Sequence, residues 1–329
     1  MKCRIITYSQ VFKINKKSMT HLISLLSEHL LPNFLVAKEY EGQYDAHIFI
    51  TTQRMGEKGM TSRYCNALGI DEKEVRIVVI SEEDLSNARQ KLQNENFCRE
   101  DKYIVNLTGG TKIMSIAVYQ HFFKYRADYF YVPIATNKIE NARTGEDLPI
   151  TYQVSIPEYL SLYGLYTETS ETEYRHDDDQ GEEFEKYVFN RIKNDKRLSP
   201  EKKQIARGVK LFRDRNEKDN DNEIDVMWIE NNQLFVSECK TSLFKPKEIG
   251  SDGRPIQNPP EYLEEIMYKL SAISKDFGLR VNPYIFIKYG LPRRDFNEIR
   301  MKAVEKRMKI LGIKGIFSEK DLKQKELKI

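Results

Sequence analysis

Short apolar runs and helical segments alternate regularly along the first part of this chain. The apolar runs are residues 21–26, 46–52, 75–81, 103–107 and 128–134, and the helical segments are residues 30–40, 60–68, 82–94 and 111–125. Continuous apolar strands that are each followed by a helix are typical of a parallel sheet covered on both faces. The pattern predicts an α/β fold with a doubly wound, Rossmann-like sheet, and residues 137–153 are expected to add a hairpin.

A second domain is expected because 329 residues exceed what one hydrophobic core usually holds. Residues 166–180 (YTETSETEYRHDDDQ) are polar and acidic, which is typical of a linker. His176 is therefore interpreted as part of a solvated tract and not as a metal ligand. Beyond it, helices are predicted at 182–193, 261–275 and 296–311, strands at 205–212, 224–229, 234–240 and 283–287, and a loop at 250–260. The predicted organisation is a domain over 1–155, a linker over 156–180 and a second α/β domain over 181–329.

Residues 223–240 (EIDVMWIENNQLFVSECK) form two apolar runs around an Asn-Asn pair, which predicts a β-hairpin with a two-residue turn. In that register Asp225 lies directly opposite Glu238. Like charges in this position destabilise a sheet, and a divalent cation between them turns the pair into a site. Lys240 lies two residues beyond Glu238 and is expected on the same face.

Asp225, Glu238 and Lys240 together are the residue types of metal-dependent phosphodiester hydrolysis, in which a lysine orients water or stabilises charge on the phosphate. The alternative is an ordinary solvated hairpin edge, since an isolated Glu-x-Lys carries no information. Cys239 should point into the core from the opposite face, and Trp228 is also expected in the core.

Residues 103–114 (YIVNLTGGTKIM) predict an anion-binding turn, because an apolar strand runs through two glycines into a helix. Gly109 and Gly110 permit close approach of a ligand to the backbone, and the helix start offers amide groups. Thr108, Thr111 and Lys112 add donors. The spacings of the P-loop and of the dinucleotide-binding motif are absent, which disfavours nucleoside triphosphatases and dehydrogenases. A plain strand-to-helix turn is the alternative.

The segment Asn-Leu-Thr-Gly-Gly-Thr-Lys-x-Met resembles the signature of CARF domains, the CRISPR-associated Rossmann-fold sensors, and residues 24–33 and 51–55 are similar to other parts of those domains. The resemblance implies that residues at the carboxyl ends of several strands bind the ligand, which is where doubly wound sheets bind ligands. The residues it implies beside the glycine turn are Ser27, His29, Asn33, Thr51, Thr52, Met55 and Asn106.

The second half resembles restriction-endonuclease-like domains of the PD-(D/E)xK type. On its first helix Glu185 stands beside an apolar stripe, and the resemblance implies that Glu185 completes a metal site with Asp225 and Glu238. CARF proteins with such a domain are ancillary effectors of type III CRISPR defence. That implies activation by cyclic tetra-adenylate, a homodimer, Mn²⁺ or Mg²⁺, and cleavage of single-stranded DNA or RNA, with nicking of duplex DNA also open.

Two other functions remain open: a ring nuclease that degrades the cyclic oligoadenylate, and a ligand-responsive regulator with an inactive nuclease fold. The net charge of +3 requires any nucleic-acid site to come from local clusters, such as Lys245, Lys247, Arg293, Arg294, Lys302, Lys306 and Arg307. Four scattered cysteines and the lack of a long apolar run predict a cytoplasmic protein without disulfides or a membrane span. Residues 1–18 are interpreted as a basic extension or an upstream start.

Overall fold

The computed structural model describes residues 18–134, 136–169, 180–195, 204–213, 222–244 and 258–324. The strands are β1 (Thr20–Leu25), β2 (Ala46–Thr51), β3 (Arg76–Val79), β4 (Lys102–Asn106), β5 (Arg126–Tyr131), β6 (Lys138–Asn141), β7 (Asp147–Pro149), β8 (Tyr166–Thr169), β9 (Gln204–Phe212), β10 (Asn222–Glu230), β11 (Gln233–Lys240), β12 (Val281–Ile287) and β13 (Gly315–Ser318). The helices are α1 (Leu31–Glu39), α2 (Gln53–Glu57), α3 (Met60–Leu68), α4 (Leu85–Asn94), α5 (Lys112–Phe122), α6 (Ile156–Leu162), α7 (Gln180–Lys193), α8 (Pro259–Lys275), α9 (Glu298–Leu311) and α10 (Glu319–Leu322).

The first sheet has the strand order β3-β2-β1-β4-β5-β6-β7, and its first five strands are parallel. This is the doubly wound arrangement that the sequence predicts. The antiparallel strands β6 and β7 form the expected added hairpin, with Gly145 at positive φ in its turn. The fold thereby brings the ends of β1, β2 and β4 to one edge of the sheet.

The second sheet has the order β13-β12-β11-β10-β9-β8. The pairs β8–β9, β9–β10 and β10–β11 are antiparallel, whereas the pairs β11–β12 and β12–β13 are parallel. Helix α7 contacts β9, β10 and β11 on one face, and α8 contacts β11 and β12. The predicted strands of this half are confirmed, while β13 and α10 were not predicted from the sequence.

The predicted linker over 156–180 is wrong for its first part, which forms α6 and β8. Ser155 accepts a hydrogen bond from the Glu158 backbone and Glu158 reaches back to the Ser155 amide, so a capping box starts α6. Strand β8 pairs with β9 at the edge of the second sheet. The rest of the acidic tract, with His176, lies outside the described residues.

A continuous core joins the two sheets. Phe34 of α1, Tyr159 of α6 and Met227 of β10 belong to the same cluster of buried side chains. The opposite faces of the sheets have cores of their own, and Trp228 and Cys239 are buried together beneath α7 as expected. Because burial of apolar surface is the main stabilising term, the two halves pack as one unit.

Smaller differences have local causes. Helix α4 begins at Leu85 and not at residue 82, because the Asp84 side chain accepts from the amides of Ser86 and Asn87. Helix α2, which the sequence pattern does not predict, is capped by Thr52. Helix α8 begins at Pro259, inside the predicted loop over 250–260, whose residues 250–257 lie outside the described part. None of the described helices combines the length and apolarity that crossing a membrane requires.

Candidate active site and candidate ligand pocket

The β10–β11 hairpin has the predicted register, from Glu230 opposite Gln233 to Val226 opposite Ser237. Asn231 and Asn232 form its turn with φ of 50° and 57°, a conformation that asparagine tolerates. The paired residues end at Val226 and Ser237, next to Asp225 and Glu238 in the two strands. The turn therefore brings the strand segments that carry the two carboxylates to the same end of the hairpin.

Lys240 lies between the two carboxylates of the hairpin. Its Nζ is 2.7 Å from Oε1 of Glu238 and 4.0 Å from Oδ2 of Asp225. Oδ2 of Asp225 also accepts a hydrogen bond from the backbone amide of Cys239 at 2.5 Å. The Glu238 side chain is 5 % exposed and the Lys240 side chain 27 %, so the lysine is the more accessible of the two. The hairpin thus presents an ammonium group and two carboxylates at one place.

Burial and the charges within this cluster both shift the pKa values of its members. Burial, and then the negative charge of Glu238, raises the pKa of Asp225 well above its usual range. Burial alone would lower the pKa of Lys240, but the charges of Asp225 and Glu238 outweigh it and raise that pKa. Burial also raises the pKa of Glu185 on α7, which lies near enough to Lys240 and Glu238 to feel both charges.

Asp225 and Glu238 fit a divalent cation, because hard cations favour carboxylate oxygens. A bound cation would also offset the cost of burying the charged form of Asp225 beside Glu238. Within the described ranges, however, no three Asp, Glu, His or Cys side chains are gathered closely enough to hold a metal ion. Glu185 is thus electrostatically coupled to the pair but is not assembled with it into a three-ligand set.

Lys269 on α8 is a further cation at this site that the sequence analysis missed. Its Nζ is 3.5 Å from Oε1 of Glu238, although its side chain is half exposed. No motif marks this position, because α8 is brought to β11 only by the tertiary fold.

The basic residues that the sequence grouped together are largely paired with acids. Arg294 contacts Asp295, Lys302 contacts Glu298, and Arg307 contacts Glu264. Lys245 and Lys247 lie outside the described residues. The described part of this group therefore favours solvated helix faces over a continuous basic track.

A cavity of about 410 Å³ lies at the carboxyl edge of the first sheet, a volume typical of small-molecule sites. Of the predicted ligand-binding residues, those that line it are Ser27, His29, Thr52, Met55, Thr108, Gly110 and Thr111. They come from the ends of β1, β2 and β4. The strand-to-helix turn therefore lines the cavity. Gly110 in this turn has a φ of 73°, a conformation that favours glycine.

Five predicted ligand-binding residues do not line the cavity, and instead shape its wall or lie outside it. Asn33 donates to the Leu25 carbonyl and accepts from Asn106, whose Oδ1 holds Thr108. Gly109 has no room for a side chain, since a Cβ atom there would lie 1.7 Å from the Leu25 carbonyl oxygen. Thr51 is buried, and Lys112 is exposed at the start of α5.

The cavity also has walls that the sequence analysis did not identify. Arg54 and Glu82 form an ion pair of 3.0 Å on one side. Tyr163, Leu279 and Arg280 line the other side and come from beyond the first sheet. Sequence spacing cannot place these three residues at the cavity, because they reach it through packing between the two halves.

Comparison with known families gives two matches that together span most of the chain. Residues 21–159 match the Card1 CARF domain, and residues 172–325 match the endonuclease domain described as Card1-like. No curated protein matches the sequence.

Solved structures with a similar fold cover both halves. Can2 from Sulfobacillus thermosulfidooxidans, solved in complex with cyclic tetra-adenylate, has a TM-score of 0.68 at 18 % identity, covering 91 % of this chain and 95 % of its own. Protein VC1899 from Vibrio cholerae has a TM-score of 0.68 at 14 % identity, covering 93 % and 95 %. A type III CRISPR defence DNA nuclease activated by cyclic oligoadenylate has a TM-score of 0.56 at 15 % identity, covering 83 % and 46 %. At these identities the likeness establishes a shared fold.

Proposed function

Because the chain is a CARF-domain protein fused to a Card1-like endonuclease domain, we propose that it is a metal-dependent endonuclease switched on by a cyclic oligoadenylate. Its substrate is nucleic acid, with single-stranded DNA or RNA as the preferred forms. The observation that carries the proposal is the set of Asp225, Glu238 and Lys240 at one end of the β10–β11 hairpin.

The chemistry follows from what these side chains do. Lys240 is held by Glu238 and Asp225 in its charged form, and its remaining N–H groups are available to a phosphate oxygen or to an attacking water. An ammonium group fixed beside the scissile phosphate stabilises the charge that develops there. Glu238 and Asp225 would hold a Mn²⁺ or Mg²⁺ ion, which supplies Lewis-acid polarisation and lowers the pKa of a bound water.

The ligand is proposed to occupy the cavity at the edge of the first sheet. Gly110, Thr108 and Thr111 offer a turn and hydroxyl groups beside the start of α5, which suit a phosphodiester anion. The cyclic tetra-adenylate in the Can2 complex supports the choice of ligand class. We expect the same ligand here.

A homodimer is part of the proposal. A cyclic tetranucleotide has two-fold symmetry, which matches a two-fold pair of cavities. Tyr131, Ile134 and Leu279 border the cavity with 42 %, 50 % and 54 % of their surfaces exposed. An exposed apolar rim next to a cavity favours coverage by a second copy.

The test is a panel of labelled single-stranded DNA, single-stranded RNA and supercoiled plasmid, each with Mn²⁺ or Mg²⁺ and with or without cyclic tetra-adenylate. Cleavage of one substrate that requires both metal and activator is the expected result. Consumption of the activator without cleavage of any substrate would instead favour a ring nuclease. Binding of the activator with neither reaction would favour a regulator.

A further inference from the structure

Arg280 reaches the ligand cavity from the endonuclease half of the chain. It lies between the turn at Gly278 and the first residue of β12, and it is 5 % exposed. Gly278 has φ of 78°, and a Cβ atom there would lie 2.4 Å from the ring of Tyr163, another cavity residue. The loop that carries Arg280 is therefore tightly seated against the cavity wall.

The guanidinium group of Arg280 is only partly satisfied. One nitrogen, Nη2, donates to the carbonyl oxygen of Pro133, whereas Nε and Nη1 have no hydrogen-bond partner among the described residues. Leaving donors of a buried charged group unpaired is costly, so such groups mark places where a partner is expected.

The acidic residues of the cavity wall do not neutralise Arg280. Glu28 is paired with Lys58, and Glu82 is paired with Arg54. In the described part of the chain no carboxylate forms an ion pair with Arg280. Nε and Nη1 lie on either side of Nη2, so the charged guanidinium group keeps an unused N–H on each of its two edges, and each can donate to a phosphate oxygen.

We propose that Arg280 binds a phosphate group of the ligand in the cavity and that this contact transmits ligand binding to the active-site hairpin. The inference rests on the proposed function, and it assigns the coupling to one side chain. Arg280 is a ligand-binding and positioning residue in this scheme and does not take part in bond cleavage.

The path from Arg280 to the active site is short and entirely within the second sheet. The Arg280 carbonyl accepts a hydrogen bond from Leu234 at 2.8 Å, at the start of β11. From there β12 pairs with β11 up to Ile285 opposite Glu238 and Ile287 opposite Lys240. Five residues of strand span roughly 16 Å. A shift of Arg280 toward a ligand would therefore act on the strand partner of both active-site residues.

The competing explanation is a structural role, in which the hydrogen bond from Arg280 to the Pro133 carbonyl only holds the two halves of the chain together. The two explanations differ in their effect on ligand affinity. Arg280→Gln removes the charge and the guanidinium donors, and Arg280→Lys keeps the charge without the planar guanidinium group. Arg213→Gln is the matched control, because Arg213 pairs with Asp276 near the same loop at 2.7 Å but does not line the cavity.

The experiment measures the Kd of cyclic tetra-adenylate by calorimetry and activator-dependent cleavage for all four proteins, after circular dichroism has verified folding. Arg280→Gln is expected to weaken binding by about 10- to 100-fold, with Arg280→Lys between it and the wild type and Arg213→Gln unchanged. At saturating activator, Arg280→Gln should still cleave more slowly than the wild type.

Hydrogen exchange of the wild type provides a readout that does not depend on a variant. Ligand binding should increase protection of the Leu234 amide and of amides in β12. Unchanged protection there, or wild-type affinity and activation in Arg280→Gln, would overturn the role of Arg280 and leave the proposed function standing. A wild-type protein that does not bind cyclic tetra-adenylate would overturn both.

Discussion

Oε1 of Glu238 lies 2.7 Å from the ammonium nitrogen of Lys240, which the hairpin fixes two residues away on the same strand face. Lys269 reaches the same oxygen at 3.5 Å from a half-exposed position on α8. The two lysines therefore differ in how firmly the fold holds them, and this difference gives the first prediction.

Lys240→Ala should lower the cleavage rate by about 10²- to 10³-fold, because it removes a fixed charge from the site. Lys269→Ala should lower the rate by less than about tenfold, since exposed ion pairs contribute little. Single-turnover cleavage at saturating activator and metal measures both. Equal losses in the two variants would contradict the ranking.

Gly109→Ala should destabilise the protein by about 1–3 kcal/mol, because its Cβ atom would meet the Leu25 carbonyl oxygen and the Asn33 amide. Gly56→Ala is the control, since nothing lies within 4 Å of a Cβ atom there and Gly56 is in α2. Urea unfolding measures both changes. The prediction fails if the two alanines have the same effect.

Asn232→Gly should destabilise the protein by about 1–3 kcal/mol and Asn231→Gly by much less. Asn232 accepts from the Val154 amide at 2.8 Å and donates to Asn137 and to the Tyr152 carbonyl, whereas Asn231 is exposed in the same turn. Glycine keeps the positive φ at both positions, so only the hydrogen bonds differ. Equal urea midpoints for the two variants would show that the buried amide contributes nothing.

His47 should make the protein less stable in acid. It is buried in β2, with Nε2 2.8 Å from the Ser24 hydroxyl oxygen, and burial lowers its pKa to about 3. Between that value and the ordinary value near 6.5, the unfolded chain binds a proton that the folded chain does not. The free energy of unfolding should therefore fall as pH falls from about 6.5, by about 2 kcal/mol at pH 5.

The check on this prediction is the difference between wild type and His47→Gln in urea titrations at pH 5 and pH 7.5. The variant should lose less stability in acid than the wild type by that amount. An identical pH dependence in the two proteins would show that His47 does not set it.

The parallel, doubly wound sheet of the first half and the register next to the turn of the active-site hairpin could be predicted because both depend on local patterns. Apolar runs with intervening helices specify a parallel sheet, and the two-asparagine turn fixes the pairing from Glu230 opposite Gln233 to Val226 opposite Ser237. Helix α6 is not predicted by the sequence pattern, although Ser155 and Glu158 form a capping box, because the polar and acidic residues that follow it are typical of a linker.

The cavity could be predicted only in part. Residues at the ends of β1, β2 and β4 were expected to meet, since parallel strands end at one edge of the sheet. Arg280 and Tyr163 were not expected, because their places depend on how the two halves pack. The role of Gly109 also needed the structure, which shows the glycine facing a backbone carbonyl instead of the cavity.

The most direct test of the account is the cleavage rate of wild type and Glu238→Ala on labelled single-stranded DNA and RNA with Mn²⁺, measured with and without cyclic tetra-adenylate. We predict cleavage by the wild type only with the activator, and a rate at least about 100-fold lower in Glu238→Ala. Cleavage that does not depend on the activator, or full activity in Glu238→Ala, would contradict it.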